Sequence, residues 1–184
     1  MRIVSGKYRG RRLQPPVSLP VRPTTDFAKE GLFNILAHRA VLEDISVLDL
    51  FAGTGSISFE FLSRGASSVT SVDANPRCID FIKKTALVLA DTNIRPVRSD
   101  CFAFLKHTMA KYNLIFADPP YDMEGIDSIP DLIFGLGILE NDGILILEHS
   151  SGHRFDGHAY YLDHRNYGSV NFTFFRRVGE SEGV

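Results

Sequence analysis

Cysteine is nearly missing from the 184-residue chain, with Cys78 and Cys101 the only two. That excludes a disulfide-built scaffold, allows one bridge at most, and leads us to expect reduced thiols in a cytoplasmic protein. The six histidines are scattered, and no Cys/His cluster has zinc spacing, so no metal is expected. No apolar run approaches the roughly 20 residues a membrane helix needs, and the opening Met1-Arg2-Ile3-Val4-Ser5-Gly6 lacks a signal-type apolar core. Low-complexity tracts and internal repeats are lacking too. Acids are absent from the start of the chain: all 22 lie at Asp26 or beyond, whereas six of the 20 cations (Arg2, Lys7, Arg9, Arg11, Arg12 and Arg22) fall within residues 1–22. The net charge of −2 therefore conceals a short positive arm on an acidic body. Such an arm is either an anion-binding patch or a solvated tail. With 44% hydrophobic and 23% charged residues, the chain has the composition of one globular domain rather than a disordered segment.

What is present falls into an arm and a body. Residues 2–4 and 12–14 flank Ser5-Gly6-Lys7-Tyr8-Arg9-Gly10, a pattern that suggests a hairpin. Pro15, Pro16, Pro20 and Pro23 then exclude regular structure in a connector. We accordingly divide the chain into a basic extension, 1–23, and a catalytic-size domain, 24–184. A helix is predicted next, capped by Thr24 or Thr25, with Phe27, Ala28, Leu32, Phe33, Ile35 and Leu36 at helical spacing and Gly31 as a weak point. From there, β-rich runs at 45–50, 68–72, 94–98, 112–117 and 143–148 alternate with helical patterns at 56–63, 76–90, 100–110 and 125–136. This alternation predicts βαβ crossovers and a mostly parallel sheet. Two further runs, 159–163 and 170–176, are too close for a crossover helix and should pair antiparallel. The expected fold is therefore α/β, with a seven-stranded, mostly parallel sheet whose last strand is antiparallel.

In such a sheet ligands sit beyond the carboxyl ends of the strands. After the first strand comes Asp49-Leu50-Phe51-Ala52-Gly53-Thr54-Gly55-Ser56, where Gly53 and Gly55 permit a tight turn near a ligand. Gly-x-Gly alone is a weak signal, and Ser58 stands where a dinucleotide fingerprint would usually have glycine. Asp73, 20 residues past Gly53, is placed to accept bonds from both hydroxyls of an adenosine ribose, to cap the helix at Asn75-Pro76, or both. Asp100-Cys101-Phe102 follows the third strand; Asp100 reads as an adenine acceptor or as a helix cap, with Phe102 packing near the ring. Asp49 either orients the turn or meets a ligand ammonium. Acids at three successive strand ends suit a cofactor carrying ammonium, ribose and adenine.

The fourth strand runs into Asp118-Pro119-Pro120-Tyr121. Two prolines fix φ and supply no N–H, so this backbone leaves its ladder with free carbonyls. A carboxylate and a rigid carbonyl can hold both hydrogens of a flat –NH₂ group and direct the nitrogen lone pair, while Tyr121 offers a stacking face. The competing reading is a Pro-Pro turn without chemistry.

These residues carry a family resemblance. Asp118 to Tyr121 with the Asp49-to-Gly55 turn resembles the amino-methyltransferases that act on adenine N6, guanine N2 or glutamine amides. Gly6-Lys7-Tyr8-Arg9-Gly10-Arg11-Arg12-Leu13, Arg22-Pro23-Thr24-Thr25-Asp26, then Glu30, Leu32-Phe33-Asn34, Leu36 and Tyr167-Gly168, are similar to the RsmD family, across nearly the whole chain. The resemblance implies a Rossmann-like class I methyltransferase fold, S-adenosylmethionine as cofactor, and guanine N2 of 16S ribosomal RNA as acceptor. It implies that Gly53, Gly55, Asp73 and Asp100 bind the cofactor, that Asp118, Pro119, Pro120 and Tyr121 hold the target base as the catalytic residues, and that Arg22 to Asp26 border the pocket; with Asp49, Phe51, Cys101 and Phe102 from the same strand ends, the candidate cofactor set has eight residues. Its RNA-facing set is Arg2, Lys7, Arg9, Arg11, Arg12, Arg22 and Thr24. The partner is ribosomal RNA or the small-subunit particle, with no membrane and no metal, and we expect a monomer.

Two features depart from the family pattern. Phe27 and Lys29 stand where arginines are frequent, and the segment at Ser151-Gly152-His153 looks too short for a full helix. Three rivals remain: adenine N6 or a protein glutamine as acceptor, a non-catalytic RNA-docking module, and a nicotinamide oxidoreductase.

Overall fold

The computed structural model describes residues 1–16, 19, 25–39 and 41–177. Its elements are α1 (Asp26–Arg39), β1 (Ser46–Leu50), α2 (Ser56–Ser63), β2 (Ser68–Asp73), α3 (Pro76–Leu89), β3 (Ile94–Arg98), α4 (Cys101–His107), β4 (Tyr112–Ala117), α5 (Ile129–Leu136), β5 (Leu139–His149), β6 (Tyr161–Tyr167) and β7 (Val170–Arg176). One seven-stranded sheet has the order β3-β2-β1-β4-β5-β7-β6. The first five strands pair in parallel, and β7 runs antiparallel to both β5 and β6. The strand order reverses between β1 and β4, so the crevice where α/β sheets hold ligands opens above those two strands.

Period-two alternation divides the core between the faces. Val47, Leu114, Phe116, Ile146, Phe172 and Phe174 point to the side covered by α1, α2 and α3. Leu48, Leu50, Ile115, Ala117, Leu145 and Leu147 point to the side covered by α4 and α5. Strands buried on both faces must read as unbroken apolar runs, which is why β4 and β5 were legible.

Strand β6 runs Tyr161–Tyr167 rather than 159–163, and three further elements differ from expectation for local reasons. The α4 helix stops at His107, where Thr108 turns to extended backbone and Met109 stands 95% exposed, short of the predicted end at 110. The predicted helix 125–136 breaks into a 3₁₀ turn, Ile126–Ser128, and α5, because Pro130 favours the first turn of a helix over its interior. Strand β5 begins earlier than predicted, at Leu139, which pairs with Tyr112 before a register shift.

The arm is tied to the body by backbone groups. Arg2 and Arg12 form a single antiparallel bridge, and Ile3 and Leu13 enter the first core. Val4 and Ser5 donate backbone N–H bonds to the two oxygens of Glu60, at 2.8 and 3.0 Å. The Lys7 N–H donates to the Ser63 carbonyl at 2.7 Å. Every residue of α2 is buried, since the sheet lies on one side and the arm on the other.

Candidate active site

The loop leaving β1 turns sharply through three left-handed residues. Phe51, Gly53 and Gly55 have φ of +61°, +54° and +72°. For Phe51 this left-handed conformation costs of order 1–2 kcal/mol, a strain that other contacts must hold in place. Asp73 supplies one such contact. Its Oδ2 accepts the Gly53 N–H at 2.8 Å and its Oδ1 accepts the Asn75 N–H at 2.7 Å. Asp73 thus braces the loop from the end of β2, while Asn75 caps α3 by accepting from the Arg77 N–H at 2.9 Å. Beneath the loop Asp49, 2% exposed, accepts a hydrogen bond from the Ser58 hydroxyl, which lies 2.7 Å from that of Ser71. Burial pushes the Asp49 carboxyl up to about 7, against the lowering effect of Ser58. Ser58 therefore sits below the loop as a partner for a buried acid.

The loop opens into a cavity of about 590 Å³. Of the cofactor set, Asp49, Phe51, Gly53, Asp73, Asp100 and Cys101 line it. Gly55 and Phe102 stand outside the lining. Gly55 starts α2 with its Cα turned to the core, where a Cβ would come 2.9 Å from Ile82. Phe102 packs against the second core, leaving the cavity-facing position on α4 to Cys101. Asp100 caps α4, accepting from the Ala103 N–H at 2.9 Å, and still borders the cavity. Cys78 and Cys101 are unbridged, buried thiols whose pKa values burial pushes up to about 11 and about 12.

Asp118, Pro119, Pro120 and Tyr121 all line the same cavity, on the wall opposite Asp73 and Asp100 in strand order. Burial, then the charges of Glu148 and Asp49, push the Asp118 carboxyl well above the usual carboxylate range. Glu148, at the end of β5, accepts the Tyr121 hydroxyl hydrogen at 3.1 Å. Sequence reasoning passed over Glu148, although it closes the apolar run 144–147 and the rule about strand ends applied there as well. Thr25, from the Arg22–Asp26 segment expected to border the pocket, lines the cavity, as do Met123, Ser169 and Val170, which no motif had marked for the site. Among the described residues, no group of three or more His, Cys, Asp or Glu is placed to hold a metal ion. No helix among them is long and apolar enough to cross a membrane.

The basic set divides in two. Arg2 pairs with Asp26 and Glu30, and Lys7 with Asp91 at 3.0 Å, so both hold the arm to the body. Arg9, Arg11 and Arg12 are exposed, with no carboxylate partner among the described residues. Arg22 and Thr24 lie outside the described residues. Thr25 Oγ1 accepts the Ala28 N–H at 3.2 Å, which makes it a cap for α1. Lys29 does not face outward: it is 1% exposed, donates to the Arg2 carbonyl and to Ser56 Oγ, and lies 3.7 Å from Glu60.

A glycine turn braced by an acid, an acidic second strand end and a rigid Asp-Pro-Pro-Tyr elbow around one cavity, on this strand order, define a Rossmann-like class I methyltransferase that uses S-adenosylmethionine. Residues 1–176 match the family model described as "Conserved hypothetical protein 95", and the chain belongs to this, the RsmD family. It is 34% identical over 148 residues to "Ribosomal RNA small subunit methyltransferase D" of Escherichia coli K12, covering 80% of this chain and 74% of that one. It is 36% identical over 154 residues to "Putative rRNA methyltransferase YlbH" of Bacillus subtilis, covering 81% and 82%. The solved structure "Putative methyltransferase yhhF from Escherichia coli" superposes with a TM-score of 0.84 at 30% identity, covering 96% of this chain and 97% of that one.

Proposed function

We propose that this chain methylates the exocyclic N2 of a guanine in small-subunit ribosomal RNA. The observation that carries this reading is that the Asp118–Tyr121 elbow and the Gly53–Asp73 cradle border one cavity. The names of the relatives support ribosomal RNA as the substrate class. The cavity fits the cofactor chemically: Asp49 suits an ammonium, Asp73 a ribose edge beside the turn, and Asp100 an adenine amine. When bound, S-adenosylmethionine supplies an electrophilic methyl on a positively charged sulfur.

The rest is positioning. An arylamine is a poor nucleophile because its lone pair is conjugated into the ring. Asp118 and an elbow carbonyl accept the two amine hydrogens and turn the lone pair toward the methyl carbon. With S-adenosylmethionine held by Asp49, Asp73 and Asp100, the amine would gain the methyl group while sulfur keeps the electron pair of the broken C–S bond, and the surplus proton would leave nitrogen through the Asp118 side of the cavity to solvent. Such orientation is worth of order 7–11 kcal/mol of barrier. Stacking on Tyr121 adds about 1–3 kcal/mol of binding. Extruding the base costs a few kcal/mol, which phosphate contacts from Arg9, Arg11 and Arg12 offset.

The deciding experiment supplies labelled S-adenosylmethionine and unmodified small-subunit particles, followed by nucleoside mass spectrometry. N2-methylguanosine is the expected product. Methyladenosine, or no label in RNA, overturns the reading.

A further inference from the structure

The cavity wall holds a second carboxylate that the transfer step does not use. Strands β4 and β5 pair in parallel with Ala117 opposite Leu147. Asp118 and Glu148 are therefore the next residues along adjacent strands, which lie about 4.8 Å apart. Glu148 is 4% exposed and lines the cavity, with Tyr121 bonded to it at 3.1 Å. An acid in that position is costly to bury and lifts the carboxyl of its neighbour Asp118. A fold-stabilising choice would be an apolar side chain, as at Ile146 on the same face of β5. The wall thus presents two neighbouring acceptors, side by side, next to a stacking ring.

Three nucleobases carry an exocyclic amine, and their edges differ beside it. Adenine places the N1 lone pair next to its amine, and cytosine places the N3 lone pair there. Guanine alone has a ring N–H, at N1, adjacent to the amine. Two adjacent carboxyl groups, with more acceptor oxygens than hydrogens between them, match a row of donors better than a row that alternates with a lone pair. We propose that Glu148 is a specificity-determining residue that accepts the N1–H of the target guanine while Asp118 holds its N2 amine. The assignment rests on the guanine reading above and gives that choice a residue. A site built to bond an N–H discriminates strongly against an analogue lacking it, by up to about 10⁴-fold.

The test uses RNA in which 2-aminopurine replaces the target guanine, keeping the N2 amine and removing the N1–H. The native enzyme should prefer guanine over 2-aminopurine by at least about 100-fold in kcat/KM. In Glu148→Gln, guanine turnover should fall by about 100-fold while 2-aminopurine turnover holds, so that the ratio collapses toward one. Glu148→Asp keeps the charge and should retain a preference for guanine. Cofactor Kd and melting temperature, measured on each variant, confirm an intact fold. Guanine methylated with undiminished discrimination by a folded Glu148→Gln overturns the Glu148 role alone. Methyladenosine from the native enzyme overturns the guanine reading itself.

Discussion

Gly31 of α1 lies directly beneath Tyr167 of β6: a Cβ at Gly31 would stand 2.2 Å from the Tyr167 ring. The same ring meets Phe27 edge-on, with centroids 5.7 Å apart, so α1 is seated on the sheet edge through this residue. Helix propensity alone favours Gly31→Ala by up to about 1 kcal/mol. The contact reverses the sign, because overpacking costs about 1–3 kcal/mol. Urea denaturation should show Gly31→Ala destabilised, and Tyr167→Ala should relieve that penalty in the double variant. Stabilisation by Gly31→Ala would mean that the ring moves freely.

Lys29 is expected to act as a fastener. Its ammonium compensates Glu60, which is fully buried and also takes Arg64 at 3.0 Å. Burial lowers the Lys29 pKa, and Glu60 holds it up. Lys29→Met leaves a buried carboxylate short of a partner and should cost about 3 kcal/mol in chemical denaturation. A loss below about 0.5 kcal/mol would show that Arg64 and the Val4 and Ser5 N–H groups suffice.

Asp49 gives a pH dependence with two signs. The folded chain holds its proton up to about 7, whereas the ordinary aspartate value is 3.8. Between these values the folded state binds more protons than the unfolded chain, so this group lowers stability as pH rises from about 4 to about 7. Cofactor binding runs the other way. An ammonium needs the ionised carboxylate, so calorimetric affinity for S-adenosylmethionine should rise with pH through about 7 and flatten above it. Asp49→Asn should bind more weakly and lose that pH dependence.

Asp118→Ala separates binding from chemistry. Cofactor affinity should stay within about twofold, while kcat falls by at least about 100-fold, as when one preorganised transition-state contact is removed. Retained turnover would place the amine acceptor elsewhere.

The exposed cations of the arm should act only on RNA. Each phosphate contact contributes roughly 0.7–0.9 to the salt slope. Arg9→Ala/Arg11→Ala should therefore reduce the slope of log K against log salt by about 1.5, with cofactor Kd unchanged. Lys7→Ala should instead destabilise the fold, because Lys7 is paired with the buried Asp91. An unchanged slope in the arginine double variant removes the arm from RNA binding.

Strand and helix periodicity determined most of the architecture, because β1, β4 and β5 are buried on both faces and only continuous apolar runs can fill that position. The turn at Gly53 and the elbow at Pro119-Pro120 were likewise legible, since these residues restrict the backbone by themselves. Tertiary structure alone decided which charges face solvent. Lys29 and Arg11 look alike in sequence, yet one is sealed between the arm and α2 while the other is exposed. It also decided that Gly31 seats a tyrosine 136 residues away and that Asp118 and Glu148 come to share a wall. Contacts between distant segments depend on the register and crossing of whole elements, and no local pattern of residues carries that information.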